Sequence, residues 1–272
     1  MLMHVRLMFA AVVALAAMAG NAASGDVPRT SSKAGVFGHI STSYLLKDPA
    51  ESWKLDTGYT EAGLGDGFIG DGRLGYRWSD WDVAVGGQVA DLSRGDASHD
   101  LFSDFYLSAN HFALDGEIGH RVVLGAADVR THFGLRYAEW AHEVSFPGLG
   151  GLVRHDFRGL GPRLGISTVT PVSDNLSLEF DVAASLLFGK NRTQSISFWN
   201  CSDCTTEHVT AVNLEGSAGI GLDLGQSVHA VAGWQGQYWG DVNVAITDES
   251  GLGENVSSSG HFMTGPSLRF AF

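Results

Sequence analysis

Ionisable residues recur at every second position in several short stretches of this sequence. Asp71, Arg73 and Arg77 lie in "DGRLGYR", Asp115, Glu117 and Arg121 in "DGEIGHR", Arg130, His132 and Arg136 in "RTHFGLR", and Glu179 and Asp181 in "EFD". Asp82, Arg163, Glu215 and Arg269 keep the same phase within their own stretches. A spacing of two places side chains on one face of a strand, so these carboxylates and guanidiniums confront one another. Arginine's planar fork pairs bidentately with carboxylate and keeps its charge when partly desolvated. Seven bases against seven acids can therefore form an internal ion-pair network, or a wall of fixed charge that tunes the passage of ions.

Catalytic groupings are weaker. His132 stands between Arg130 and Arg136 with Glu139 beyond, and His229 and Glu215 share the inward phase. General acid–base chemistry needs a reacting partner beside the histidine. No serine is placed as a nucleophile and no aspartate pair accompanies a histidine, so the reading is not an enzyme and no cofactor is expected. Cys201, Cys204 and His208 give Cys-x2-Cys-x3-His in "FWNCSDCTTEH". A structural zinc site wants a fourth ligand, which this stretch does not supply, so no metal is expected. A local disulfide between Cys201 and Cys204 suits an oxidising compartment, with intermolecular pairing and free thiols left open.

The elements that must position the charged face are strands. "FIGDGRLGYRW" alternates apolar and polar residues, and so do "WDVAVGGQV", "LDGEIGHRVV", "VRTHFGLRY", "LSLEFDVAASLLF", "VNLEGSAGIGL" and "VHAVAGWQGQY". With 36–46, 157–168 and 261–272 they predict ten strands. Joins near Ser79-Asp80, 124–128, 170–175 and 223–227 are short. Those at 47–66, 93–107, 142–156, 190–207 and 241–259 are long and rich in Gly, Ser and Asp. Strands of this length with short turns on one side and long loops on the other predict an all-β, antiparallel, up-and-down transmembrane barrel with periplasmic turns and extracellular loops. Residues 100–111 suit either the upper part of a long fourth strand projecting above the membrane or part of an additional hairpin, which would make twelve strands; ten is the preferred count. Trp78 and Trp81 suggest one interfacial girdle, and Tyr44, Tyr137, Trp140, Phe188, Tyr238 and Trp239 the other. Pro162 and Pro266 each predict a bulge or a missing ladder bond.

Composition agrees. There are 36 glycines among 272 residues and only 17% are charged. Residues 1–23 carry Arg6, an apolar run from Leu7 to Ala19 and small residues after it, the pattern of a cleaved signal peptide rather than of a spanning helix. Residues 24–34 follow as a short periplasmic segment, and the barrel occupies 35–272. Loss of the leader leaves 16 Lys+Arg against 30 Asp+Glu, a net charge of about −14, which argues against nucleic acid as a partner. Because the barrel wall is balanced, the acid excess belongs to the loops and strand ends.

"FRGLGPRLG" at 157–165 and "ASLLFG" at 184–189, preceded by "LDGEIGHR" at 114–121 and "FGLRYAEW" at 133–140, resemble the Legionella-type major outer membrane protein family. The resemblance implies a pore-forming outer-membrane barrel of a Gram-negative bacterium, in a family where cysteine crosslinking between chains is a theme. Cys201 and Cys204 lie in a predicted surface loop.

The expected function is a narrow passive pore for small solutes or ions in the outer membrane, with the fifteen inward residues Asp71, Arg73, Arg77, Asp82, Asp115, Glu117, Arg121, Arg130, His132, Arg136, Arg163, Glu179, Asp181, Glu215 and Arg269 lining it. The alternative is a non-conducting structural or adhesive protein that presents acidic extracellular loops. Expected partners are outer-membrane lipid and lipopolysaccharide, and the barrel-assembly machinery, which would read Phe270 and Phe272 of the last strand as its signal. Assembly into a homo-oligomer is left open.

Overall fold

The computed structural model describes residues 34–46, 52–55, 58–61, 66–99, 102–146, 151–196, 204–225, 228–240, 242 and 260–272. The expected leader and residues 24–33 lie outside them, as do Cys201 and the side chain of Cys204. Twelve strands follow in chain order: β1 Gly35–Leu45, β2 Ser52–Leu55, β3 Gly58–Glu61, β4 Gly67–Trp78, β5 Trp81–His99, β6 Phe102–Leu124, β7 Ala127–Phe146, β8 Gly151–Pro171, β9 Leu176–Ile196, β10 Cys204–Gly225, β11 Val228–Gly240 and β12 His261–Ala271. All but β2 and β3 form one closed antiparallel barrel of ten strands, in which each strand pairs with its sequence neighbours and β1 closes on β12. β2 and β3 pair only with each other.

The strand count expected for the barrel holds, but the extra hairpin lies elsewhere. β6, the fourth strand of the barrel, runs unbroken from Phe102 to Leu124, so 102–111 is the upper part of a long strand, as one of the two readings has it, and supplies no hairpin. The added hairpin is β2–β3, within the first long connection. The long connections at 93–107, 142–156 and 190–207 are also mostly strand. β5 to β10 are 19 to 23 residues long, because adjacent strands keep pairing beyond the apolar zone. Inter-strand hydrogen bonds need no apolar side chains, so alternation of hydrophobicity marks only the lipid-facing part of such strands.

Short turns join strands at the opposite end. The two-residue turn after β6 uses Gly125 at φ +63°, a left-handed conformation that glycine adopts freely, whereas Ser79 takes φ +57° in the turn after β4. Both prolines leave a missing bond rather than a bulge. Pairing of β8 with β9 skips from Leu160–Phe188 to Arg163–Ser185 without change of register, and β1 pairs with β12 at Ser43–Ser267 and next at Leu46–Thr264. Pro162 and Pro266 sit in those gaps, each lacking the N–H that would have bonded across.

Parity sorts the side chains. Phe68, Tyr76, Val85, Leu114, Phe133, Leu135, Leu164, Phe180, Phe188, Ile220 and Phe270 are exposed on the outer wall. From Leu176 to Phe188 on β9 this apolar face, tilted as barrel strands are, rises roughly 30 Å, the thickness of a hydrocarbon core. Asp66, Asp91, Asn110, Glu139, Arg158 and Lys190 stand on the same outer faces just above it and mark its upper border. Among the described residues no helix is long and apolar enough to cross a membrane.

Candidate functional site

The fifteen residues expected to line the barrel stand on the inner faces of its strands, and all but Arg77, whose guanidinium lies 5.2 Å from the centre of the Phe37 ring, are joined to polar partners rather than merely facing one another. Arg130 on β7 grips Asp82 on β5 with Nε and Nη2, the shorter contact at 2.6 Å. Glu117 on β6 receives Arg73 from β4 at 3.0 Å, Arg163 from β8 at 3.3 Å and Arg130 at 3.4 Å. His132 Nε2 stands 3.6 Å from the same carboxylate. Arg136 holds Asp115 through two bonds of 2.7 Å and reaches three strands along the wall to Asn213 and Glu215 on β10, where Arg163 also binds Glu215 at 2.7 Å. Arg121 bonds Asp128 at 3.0 Å. Nearer the turns Arg269 binds Glu179, and Ser167 binds Asp181. Asp71 is met by Ser41 and by His39 at 3.2 Å, two inward partners that charge parity alone did not bring forward.

Glycine on the inner wall makes room for these side chains. A Cβ at Gly119 would strike Arg130 and Asp82, one at Gly165 would strike His132, and one at Gly221 would strike His229 and Ser177. Large charged groups thus lie across the sheet instead of standing away from it. His229, weighed above as a base, has Asp223 at 2.6 Å on Nδ1 and Glu179 on Nε2, so neither ring nitrogen is left to accept a substrate proton. Among the described residues no group of histidines, cysteines and carboxylates could hold a metal ion.

Below and among this network lies a cavity of about 1070 Å³. Its lining runs from Gly35, Pro171, Asp223 and Phe272 at the turn end to Arg136, Glu215 and Gln237 at mid-height. Above that level the bore is filled. Trp140 of β7 and Trp239 of β11 are 1% and 0% exposed, with ring centroids 5.7 Å apart. His111 of β6 lies 4.5 Å from Trp239, and His261 of β12 stacks on Trp140 at 5.0 Å. β6 and β11, like β7 and β12, stand opposite each other in the ten-strand order, so these rings touch across the full width of the barrel. Every barrel strand adds to the layer, including Leu45, Ile69, Leu92, Phe157, Leu187, Ala211 and Met263.

Trp140 and Trp239 therefore correct one expectation: they are not girdle residues but the centre of the layer that fills the bore. The signal was present in parity, since Tyr137 turns outward on β7 and an even position on that strand must turn inward. Trp78, Trp81, Tyr44 and Phe188 are on the outer wall as expected, with Tyr44 bonded to Asp66 at 2.6 Å. Phe270 faces outward, and Phe272 lays its ring over Gly38, 2.7 Å from where a Cβ would stand there.

A closed ten-strand barrel with an apolar outer band and a charged interior is an outer-membrane β-barrel. The chain belongs to the family of the Legionella pneumophila major outer membrane protein precursor, whose family model matches residues 76–271. It resides in the outer membrane of the Gram-negative cell envelope. Among solved structures it is similar to the outer membrane protease OmpT from Escherichia coli, at 12% identity and TM-score 0.54 over 87% of this chain and 96% of that one. Lower scores are found for a major outer membrane protein from Thermus thermophilus (13% identity, TM-score 0.42, 88% and 98% covered) and for the translocator domain of the autotransporter NalP from Neisseria meningitidis (10%, 0.45, 99% and 95%). At these identities the likeness is one of fold, and it rests on the first. No curated protein matches.

Proposed function

We propose that this outer-membrane barrel is a narrow passive channel for small solutes or ions, at rest in a closed conformation. The observation that carries this reading is the charged cavity, which reaches from the turn end to mid-height and is separated from the far end by a layer of wall side chains joined by Val242, which follows β11 and whose carbonyl accepts a hydrogen bond from Asn191. Among the described residues no strand or helix threads the bore, so rotation of Trp140, Trp239 and His261, together with displacement of Val242, is the movement that would open it. Ten strands set a bore between the filled eight-stranded and the aqueous sixteen-stranded barrels. Balanced charge along the wall favours weak rather than strict ion selectivity. In this reading the leader is cleaved after about residue 23, lipid and lipopolysaccharide surround the apolar band, and the assembly machinery engages β12 through Phe270 and Phe272.

Planar-bilayer recording tests the channel. Wild-type protein should give brief, small conductance steps, and the W140A/W239A double variant larger and longer ones. Folding of both is checked by their heat-dependent gel mobility, since truncating buried tryptophans costs about 3–5 kcal/mol each. Silence from both folded proteins would sink the channel. It would leave the second reading, a non-conducting structural barrel that displays acidic loops, which the contact of rings from opposite walls favours.

A further inference from the structure

Among the described side chains, the outer wall carries its lysines and arginines in one place. Seven arginines of the barrel turn inward; the other described lysine and arginine side chains are Arg154 and Arg158 on β8 and Lys190 and Arg192 on β9, all on the outer face of two adjacent strands. Arg158 is opposite Lys190 in the β8–β9 ladder, and Lys190 is opposite His208 in the β9–β10 ladder. The three therefore form a row across the wall, with about 4.8 Å between strands. The residues one step below in that row, Leu160 and Phe188, are exposed and form the top of the apolar band. A shallow cleft of about 430 Å³ opens there between Phe188, Lys190, His208 and Thr210.

Three acids share this face: Glu143 is opposite Arg154, Glu139 is opposite Arg158 and Asp156 is opposite Arg192. Arg154 binds Asp156 at 3.0 Å and Arg158 stands 3.6 Å from Glu139, while Lys190 and Arg192 join no ion pair among the described residues. A cation leaving the apolar band at this height meets the headgroups of the outer leaflet. A lysine can lay its stem along Phe188 and lift its ammonium to that level, and an arginine fork suits phosphate oxygens. On a chain with a formal net charge of −13, such a polyanion would be repelled almost everywhere else.

We propose that Arg158, Lys190, Arg192 and His208 form a binding site for the phosphate groups of a phosphorylated glycolipid of the outer leaflet, whose acyl chains lie against Leu160 and Phe188. The ligand is a lipid rather than free phosphate because the apolar floor and the cationic row adjoin each other at the membrane border.

Full-length folded protein in detergent is titrated with bisphosphorylated lipid A and bound lipid is counted by native mass spectrometry. The wild type should retain the lipid, and K190E/R192E should bind it at least about tenfold more weakly, as loss of charge-assisted contacts implies. Lipid A stripped of its phosphates should bind wild type as weakly as the variant binds the intact lipid, and inorganic phosphate should not compete. Asn110→Glu, at the same height on β6, should leave binding unchanged. Heat-dependent gel mobility certifies that each protein is folded. Equal binding by K190E/R192E, equal binding of the dephosphorylated lipid, competition by inorganic phosphate, or an equal loss in N110E would each overturn the site.

Discussion

Glu117 shows how much of the interior rests on single charges. It is nearly buried and meets three arginines from three strands, so it ties β4, β7 and β8 to β6 at mid-barrel. Replacing one partner of a buried ion pair leaves the others uncompensated, which typically costs about 3–5 kcal/mol. Glu117→Gln keeps the shape and removes the charge, so it should lower the unfolding free energy in lipid vesicles by an amount in that range, read as a lower urea midpoint. A midpoint equal to wild type would show that the arginines are already served by water in the cavity. Its neighbours Asp115 and Glu215 share Arg136 and Arg163. Double variants within this group should therefore depart from additivity.

At the scale of the element, the seam between β1 and β12 closes the barrel. Gly38 and Phe272 exchange two backbone hydrogen bonds, of 3.0 and 2.9 Å, and the Phe272 ring covers the glycine from outside. An aromatic laid over a strand glycine restores the packing that the missing side chain gives up. Pro266 removes ladder bonds a little higher on the same seam, which places more of its closure on this pair. Gly38→Ala and Phe272→Ala should each slow folding into vesicles. Because both act on one contact, the double variant should cost less than the sum of the two. Strict additivity would show that ring and glycine do not cooperate. The long paired extensions of β5 to β10 bear on the same point, since backbone pairing continues where the lipid-facing pattern stops.

The whole molecule is a wall with two faces and an interior in two storeys, charged near the turns and filled above by apolar side chains and histidines. Single cysteines on β4 can read both divisions. Cysteine at Phe68, Leu74 or Tyr76 should react with lipid-soluble maleimides, and cysteine at Arg73 or Arg77 with small water-soluble ones that enter from the turn end. Cysteine at Ile69, fully buried in the upper layer, should resist both. Reaction at Ile69 with the water-soluble reagent would show that the bore is open past the layer. Uniform labelling of all six positions would defeat the division into faces.

The sequence by itself determined the wall. A period of two needs only local chain geometry and a lipid–water boundary, so the strands, their facing, the short turns and the inward phase of Asp71, Glu117 or Arg163 were all legible along the chain. The family resemblance carried by 114–121, 133–140, 157–165 and 184–189 was legible for the same reason, since it lies in those strands. What only the tertiary structure decided is how opposite walls meet. That Arg136 reaches Glu215, that His261 stacks on Trp140, and that the bore is filled above its middle depend on barrel closure, stagger and diameter, which bring together residues up to about half the chain apart. Parity placed Trp140 and Trp239 inside, but only the closed ring of ten strands made them touch.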